Sequence, residues 1–310
     1  MKNDFQQLSN QATPMPYSVS SLAELPDSLR QADLQSIGTT DELISICVFP
    51  VRTYLKNWDG WEYAAEQALI FTRTRILHIQ AQVSPNHEAR IVSLRASDLS
   101  YARLSLILMY GRLEFVDKSL SRVVVDFNSA GFDIIQPGLR EFLGSCCGKE
   151  PGSNPDAALT KTILDEIGEV SFKFKNGLYL YGLLPDEQVL GFVFQPGIWG
   201  KRWHLFPLKI SEATLVALTD WQLIVVEERS QSKFPAYGWI ITFYPRKAIE
   251  KIGITTRMDR QELVIGMKST GSLNDHRVIL EDANDLAWQV LWLRCGDPQP
   301  PVILPNPISY

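Results

Sequence analysis

The sequence predicts an α+β fold, mostly β, built from two similar units. Each unit is expected to be a curled antiparallel sheet, a partly open barrel of about seven strands, with a C-terminal helix. Three observations carry this. The first is an internal repeat: Asp41-Glu42-Leu43-Ile44-Ser45-Ile46-Cys47-Val48-Phe49-Pro50 is answered by Asp186-Glu187-Gln188-Val189-Leu190-Gly191-Phe192-Val193-Phe194-Gln195-Pro196. Ala68 to Thr72 is then answered by Leu215 to Thr219, Leu99 by Ile249, Leu113 by Leu263 and Ile135 by Leu286, with offsets that grow only from 145 to 151. The second is a succession of short apolar runs separated by polar turns. The third is a change to helical period at the end of each unit.

The 310 residues fit about two domains, each long enough to bury a core of its own. The expected divisions are a flexible N-terminal segment (1–35), a first unit (36–146), a linker with a helix (147–184), a second unit (185–296) and a proline-rich tail (297–310). Within the N-terminal segment the first fifteen or so residues read as disordered, and Leu22, Leu25 and Leu29 mark one short amphipathic helix.

In the first unit Ile44 to Phe49 is apolar enough for a buried strand. Ala68 to Phe71 and Ile76 to Ile79 flank four polar residues and read as a hairpin, and Arg90 to Leu94 is another strand. Leu104 to Tyr110 and Arg112 to Val116 follow closely as two apolar runs around Gly111, and Arg122 to Phe127 alternates cleanly. Ile135, Leu139, Phe142 and Leu143 then fall on one helix face, with Pro137 tolerated if it lies in the first turn. Gly144 to Ala158 reads as linker and Ala157 to Ile167 as helix, while Asn176-Gly177 hints at a hairpin in the ambiguous stretch that follows. The second unit repeats the plan, with strands at Val189 to Phe194, Thr214 to Leu218, Leu223 to Glu227, Trp239 to Tyr244, Ala248 to Thr255, Glu262 to Met267 and Arg277 to Leu280. A helix through Leu286, Val290 and Leu293 closes it, with Asp282 as N-cap.

This arrangement resembles the pleckstrin-homology (PH)-like superfamily, in particular the bacterial PH-like domains. The residues that carry the resemblance are the Asp-Glu before each first strand, the hairpin words Leu69 to Leu77 and Ala217 to Ile224, the strand before Leu99 and Ile249, and the terminal helices. The second copy departs from the pattern in having Gln222 where the first has Arg75. The resemblance implies tandem PH-like domains and places any phosphoinositide-type contact in the loop after the first strand.

Composition narrows the function classes. The net charge of -5 divides as -3 and -2 between residues 1–150 and 151–310, so neither half has the basic excess of a nucleic-acid binder. No apolar run approaches the ~20 residues of a membrane span, the first ten residues lack a signal-peptide core, and four cysteines do not make a disulfide framework. A cytoplasmic protein is expected.

Catalytic and metal signatures do not assemble either. His78, His87, His204 and His276 show no ligand spacing, and Cys146-Cys147 reads as the end of a helix. No cofactor, metal site or enzymatic activity is expected. The segment that stands out is 196–209, which follows the first strand of the second unit. Trp199, Lys201, Arg202, Trp203, His204 and Lys209 make it basic and aromatic, with no acid between Glu187 and Glu212. Rings beside Lys and Arg suit a membrane boundary or an acidic partner. The favoured reading of the tryptophans is nevertheless burial against their own barrel or the sister unit. Three function classes follow: a non-enzymatic binding or scaffolding protein with a protein partner or self-association, a peripheral sensor of anionic membranes, and, weakest, an enzyme with a pocket around His204 and His276.

Overall fold

The computed structural model describes residues 14–30, 42–55, 61–82, 89–107, 110–148, 157–202, 206–231, 234–257, 260–267 and 275–280. β1 (Tyr17–Val19), a 3-10 turn (Leu22–Glu24) and α1 (Asp27–Arg30) lead into β2 (Leu43–Phe49). A hairpin of β3 (Arg52–Leu55) and β4 (Trp61–Ala64) precedes β5 (Gln67–Thr72), β6 (Arg75–Gln80) and β7 (Arg90–Arg95). After a 3-10 turn (Ala96–Asp98) come β8 (Leu99–Ile107), β9 (Tyr110–Asp117), β10 (Arg122–Asn128) and α2 (Phe132–Cys147). The linker holds α3 (Ala157–Val170), α4 (Phe172–Gly177) and a π-helical turn (Leu178–Gly182).

The second half runs β11 (Val189–Gln195), a hairpin of β12 (Ile198–Arg202) and β13 (Phe206–Ser211), β14 (Thr214–Thr219), β15 (Gln222–Gln231), β16 (Phe234–Pro245), a 3-10 turn (Arg246–Ala248), β17 (Ile249–Arg257), β18 (Arg260–Met267) and β19 (Asp275–Leu280). Each element from β2 to β10 thus has a counterpart from β11 to β19 in the same order. The repeat extends to bulges. The ladder shifts between Leu43 and Ser45 in β2 and between Val189 and Gly191 in β11. It shifts again between Leu99 and Tyr101 in β8 and between Ile249 and Lys251 in β17. Bulges bend strands, so the two halves curl at the same places.

The architecture is α+β and mostly strand. The described sheets are antiparallel and none closes into a barrel. β8 pairs with β16, from Gly238 opposite Ile107 to Phe243 opposite Ala102, which makes one seven-stranded sheet across both halves, in the order β10-β9-β8-β16-β15-β14-β11. The strands approach closely there. A Cβ on Gly238 would lie 2.6 Å from the Leu106 carbonyl oxygen, so this position has no room for a side chain.

Two layers of core explain why the strands read as continuous apolar runs rather than alternating ones. Inside the first half, Phe71, Phe115 and Phe142 meet with ring centroids 5.8 to 6.4 Å apart, where α2 crosses the sheets. The other face of β2, β5 and β6 is also apolar: Ile46, Val48, Ala68, Ile70, Leu77 and Ile79 pack with Leu25 and Leu29, both fully buried. The N-terminal segment therefore docks as a cover, and β1 extends the sheet, with Tyr17 opposite Val48. The second half uses α3 and α4 in the same way. Leu164, Ile167, Phe174 and Leu178 pack with Leu215, Ala217, Ile224 and Val226 in a cluster that also runs into Phe71 and Phe142. The largest core cluster is therefore common to both halves.

Several expectations change. Gly111 lies inside β9, opposite both Leu106 and Phe127, where the Phe127 ring fills the space a Cβ would need. Asn176-Gly177 is helical, because Phe174 packs against Phe194 and Trp239 and the Trp239 rings lie close over Gly177. Pro137 sits inside α2 and not in its first turn. A 3-10 turn, whose Ala130 N–H donates to Asn128 Oδ1, starts the helix at Phe132. One helical hydrogen bond is therefore forgone at Pro137. Segment 196–209 is a β-hairpin rather than a loop. The helix expected after Asp282 and the tail lie outside the described residues.

Candidate binding surfaces

The basic, aromatic hairpin is the first candidate. Trp199 lies on β12 with 63% of its surface exposed, so the expectation that it is buried does not hold. β12 also carries Lys201 and Arg202, and the register sets Trp199 opposite Lys209 on β13, and Lys201 opposite Pro207. Trp203 and His204 lie outside the described residues. The hairpin forms because Gln195 and Thr214 still pair at the root of β11 and β14, leaving the intervening chain to fold on itself. Its counterpart, β3–β4, pairs Arg52 with Ala64 and Leu55 with Trp61.

A second feature escaped the sequence reading. A groove runs along α2 where the linker crosses it. Two of its clefts, of about 500 and 510 Å3, share Gln136 and Arg140, and a third of about 420 Å3 continues past Gln136 to Trp239. Gln136 Nε2 and Arg140 Nη2 both donate to the Leu180 carbonyl oxygen, at 2.8 and 2.9 Å. This fastens the π-helical turn to α2 and satisfies a carbonyl that the turn leaves open. Arg140 is half-buried, its Nε has no hydrogen-bond partner, and burial lowers its pKa. Arg73, paired with Glu42 at 3.0 Å, lines the same groove. A desolvated guanidinium at a cleft wall can hold an anion. The sequence signal was faint: Arg140 is one of several polar residues on α2, beside Glu141 and four residues after Gln136.

The buried titratable groups belong to the scaffold. Glu187 is 5% exposed. Its Oε2 accepts from Leu184 N at 2.7 Å and Gln222 Nε2 at 3.0 Å, while its Oε1 accepts from the Thr219 hydroxyl. Burial pushes its pKa up to about 7 against the opposing effect of these hydrogen bonds. His78, on β6, bonds Gln67 Oε1 at 2.9 Å, and burial, with Arg90 nearby, lowers its pKa to about 4. It is a buried, hydrogen-bonded histidine within the sheet. Cys146 and Cys147 end α2, both pushed well up by burial. Burial likewise raises Cys47 to about 11, and its thiol faces the Ile134 carbonyl at 3.6 Å. Raised thiols are poor nucleophiles at neutral pH.

His276 is on β19 opposite Ile265, and His87 and His204 lie outside the described residues. Among the described residues no three His, Cys, Asp or Glu side chains are placed to hold a metal ion, and no helix is long and apolar enough to cross a membrane. No family model matches the chain, and no curated protein matches it.

Proposed function

We propose that this protein is a non-enzymatic binding or scaffolding module made of two fused PH-like units. What supports the reading most is that sheet edges are its joining device. β8 and β16 unite the halves by edge pairing, and further edges end the other sheets. Added strands bind through main-chain hydrogen bonds while side-chain pockets choose the partner. The four-strand and three-strand meanders of each half, with α2 packed across the first, support the PH-like assignment. Capture of a stoichiometric protein partner, followed by hydrogen exchange on the complex, tests it. Protection is expected at an edge strand or along the α2 groove. A partner-free chain that turns over a small molecule would refute it.

A second reading is attachment to anionic membranes through residues 196–209 at the cytoplasmic face, and the 63% exposure of Trp199 favours it. Three basic residues at about 1 kcal/mol each give weak, reversible binding. Co-sedimentation with phosphatidylserine vesicles should exceed that with neutral vesicles and fall on Lys201→Glu/Arg202→Glu. Equal binding to both vesicle types removes this reading.

A further inference from the structure

The seam between the halves leaves a matched pair of edges behind. β8 of the first half pairs with β16 of the second. In the repeat, β7 is the counterpart of β16 and β17 is the counterpart of β8. Among the described residues, β7 ends the five-stranded sheet and β17 ends the three-stranded one, each paired on one side only. The chain therefore presents at one end the kind of edge that its other end receives internally. From this, and resting on the scaffold reading above, we infer that the protein self-associates head to tail, β7 of one copy adding to β17 of the next.

The repeat specifies the register. Ile79 stands opposite Ile91 as Val226 stands opposite Ile241, so β7 and β16 correspond at an offset of 150. β8 and β17 correspond at the same offset, since Leu99 faces Asp117 as Ile249 faces Met267. The internal pairs Ile241–Leu104, Thr242–Arg103 and Phe243–Ala102 then become Ile91–Ile254, Val92–Gly253 and Ser93–Ile252 between copies. The internal ladder ends at Phe243–Ala102; carried two residues beyond its counterpart, the contact between copies brings Arg95 to Glu250, the bulged residue of β17, and the two are exposed and of opposite charge. The sequence counterpart of Gly238 is Glu88, which lacks the close approach glycine allows, so the ladder stops short of it.

The main-chain groups point the right way. Ala96 N donates to Thr74 O at 2.8 Å. Counting back along an antiparallel strand, the N–H groups of Leu94 and Val92 face β6 and those of Ser93 and Ile91 face outward. In the second half Arg246 N donates to Trp221 O at 3.0 Å, which leaves Phe243 and Ile241 facing β8 by the same count.

Such contacts are heterologous, so they do not close at two copies but continue into a ring or a filament. They are also weaker than the internal seam. Where β16 has Ile240 and Phe243, β7 has Arg90 and Ser93, and charged or polar edges moderate strand addition. Assembly is therefore concentration-dependent.

Sedimentation velocity of the full chain from low to high micromolar concentration tests this. The average mass should climb past that of a dimer. Ser93→Pro removes an outward N–H without touching the β6 ladder, so it should give a monomer with unchanged melting. Arg95→Glu should weaken association by up to about fivefold, and adding Glu250→Arg should restore it. A monomer at all concentrations overturns the proposal, as does a dimer that stops at two, or assembly unaltered by Ser93→Pro and by the charge swap. A monomer that still binds another protein overturns the assembly and leaves the scaffold reading standing.

Discussion

Before the first strand of each half stands a glutamate, and at the β5–β6 and β14–β15 turns a fully buried threonine. The threonines behave alike. Thr72 Oγ1 accepts from Arg75 N at 3.0 Å, and Thr219 Oγ1 accepts from Gln222 N at 2.9 Å. The glutamates do not. Glu42 is exposed and pairs with Arg73, while Glu187 is buried among hydrogen-bond donors with no cation in the cluster. The cause lies outside the repeat. The linker runs directly into β11, so Leu184 closes over Glu187 and donates to it. The covers differ in the same way: a short N-terminal segment packs on the first half, and the linker helices pack on the second while reaching into the first. A duplicated scaffold keeps its turns, and what is laid over it resets the chemistry of equivalent residues.

The sharpest way to break this comparison is to damage each cover. Phe174→Ala should cost about 4 kcal/mol in chemical denaturation and speed hydrogen exchange in both halves, since Phe174 belongs to the cluster they share. Leu29→Ala should cost about 3 kcal/mol and speed exchange in β2, β5 and β6 but not in the second half. Equal loosening of the second half by Leu29→Ala would show that the covers are not separate.

Next in size is the pH dependence of the glutamates. Folding raises the Glu187 pKa from 4.5 to about 7, so the folded state holds the proton more tightly. Its contribution is complete below pH 4.5 and is lost as pH rises through 7, amounting to about 3 kcal/mol. Glu187→Gln should abolish the fall in denaturation-derived stability as pH rises from about 6.5 to about 8, whereas Glu42→Gln should change stability by less than about 0.5 kcal/mol. A fall above about pH 6.5 that survives Glu187→Gln would reassign it.

His78 acts in the opposite sense and partly hides that slope. Its pKa falls from 6.5 to about 4 on folding, so stability is complete above pH 6.5 and is lost as pH falls through 4. Between pH 4.5 and 6.5 the two effects oppose each other. His78→Gln, which keeps a partner for Gln67, should uncover the Glu187 slope there. This is the smallest net change, because cancellation leaves the native profile nearly flat in that window.

Much of the strand plan was legible because β-branched and aromatic runs between polar turns are local signals. β2, β5, β6, β10 and β11 stand within a residue or so of where periodicity placed them. Asn176-Gly177 misled because glycine marks close approach as well as turns, and only the Trp239 rings decide between the two. The hairpin β12–β13 was visible as a basic and aromatic segment, but the exposure of Trp199 was not, since burial depends on what packs beside it. Arg140 gave almost no signal, because its importance comes from the Leu180 carbonyl, a residue 40 positions away in sequence.

The sequence by itself determined the duplication, the mostly-β class, the α2 stripe and the unequal charge of the two segments that follow β2 and β11. Those properties are local, set by side-chain period and by the offset between repeats. The tertiary structure alone decided that the halves share one sheet, that both first sheets are covered on their outer faces, and which strands end the described sheets. Strand pairing uses main-chain groups that nearly every residue carries, so no side-chain pattern announces which edge meets which. Only the packed chain can choose.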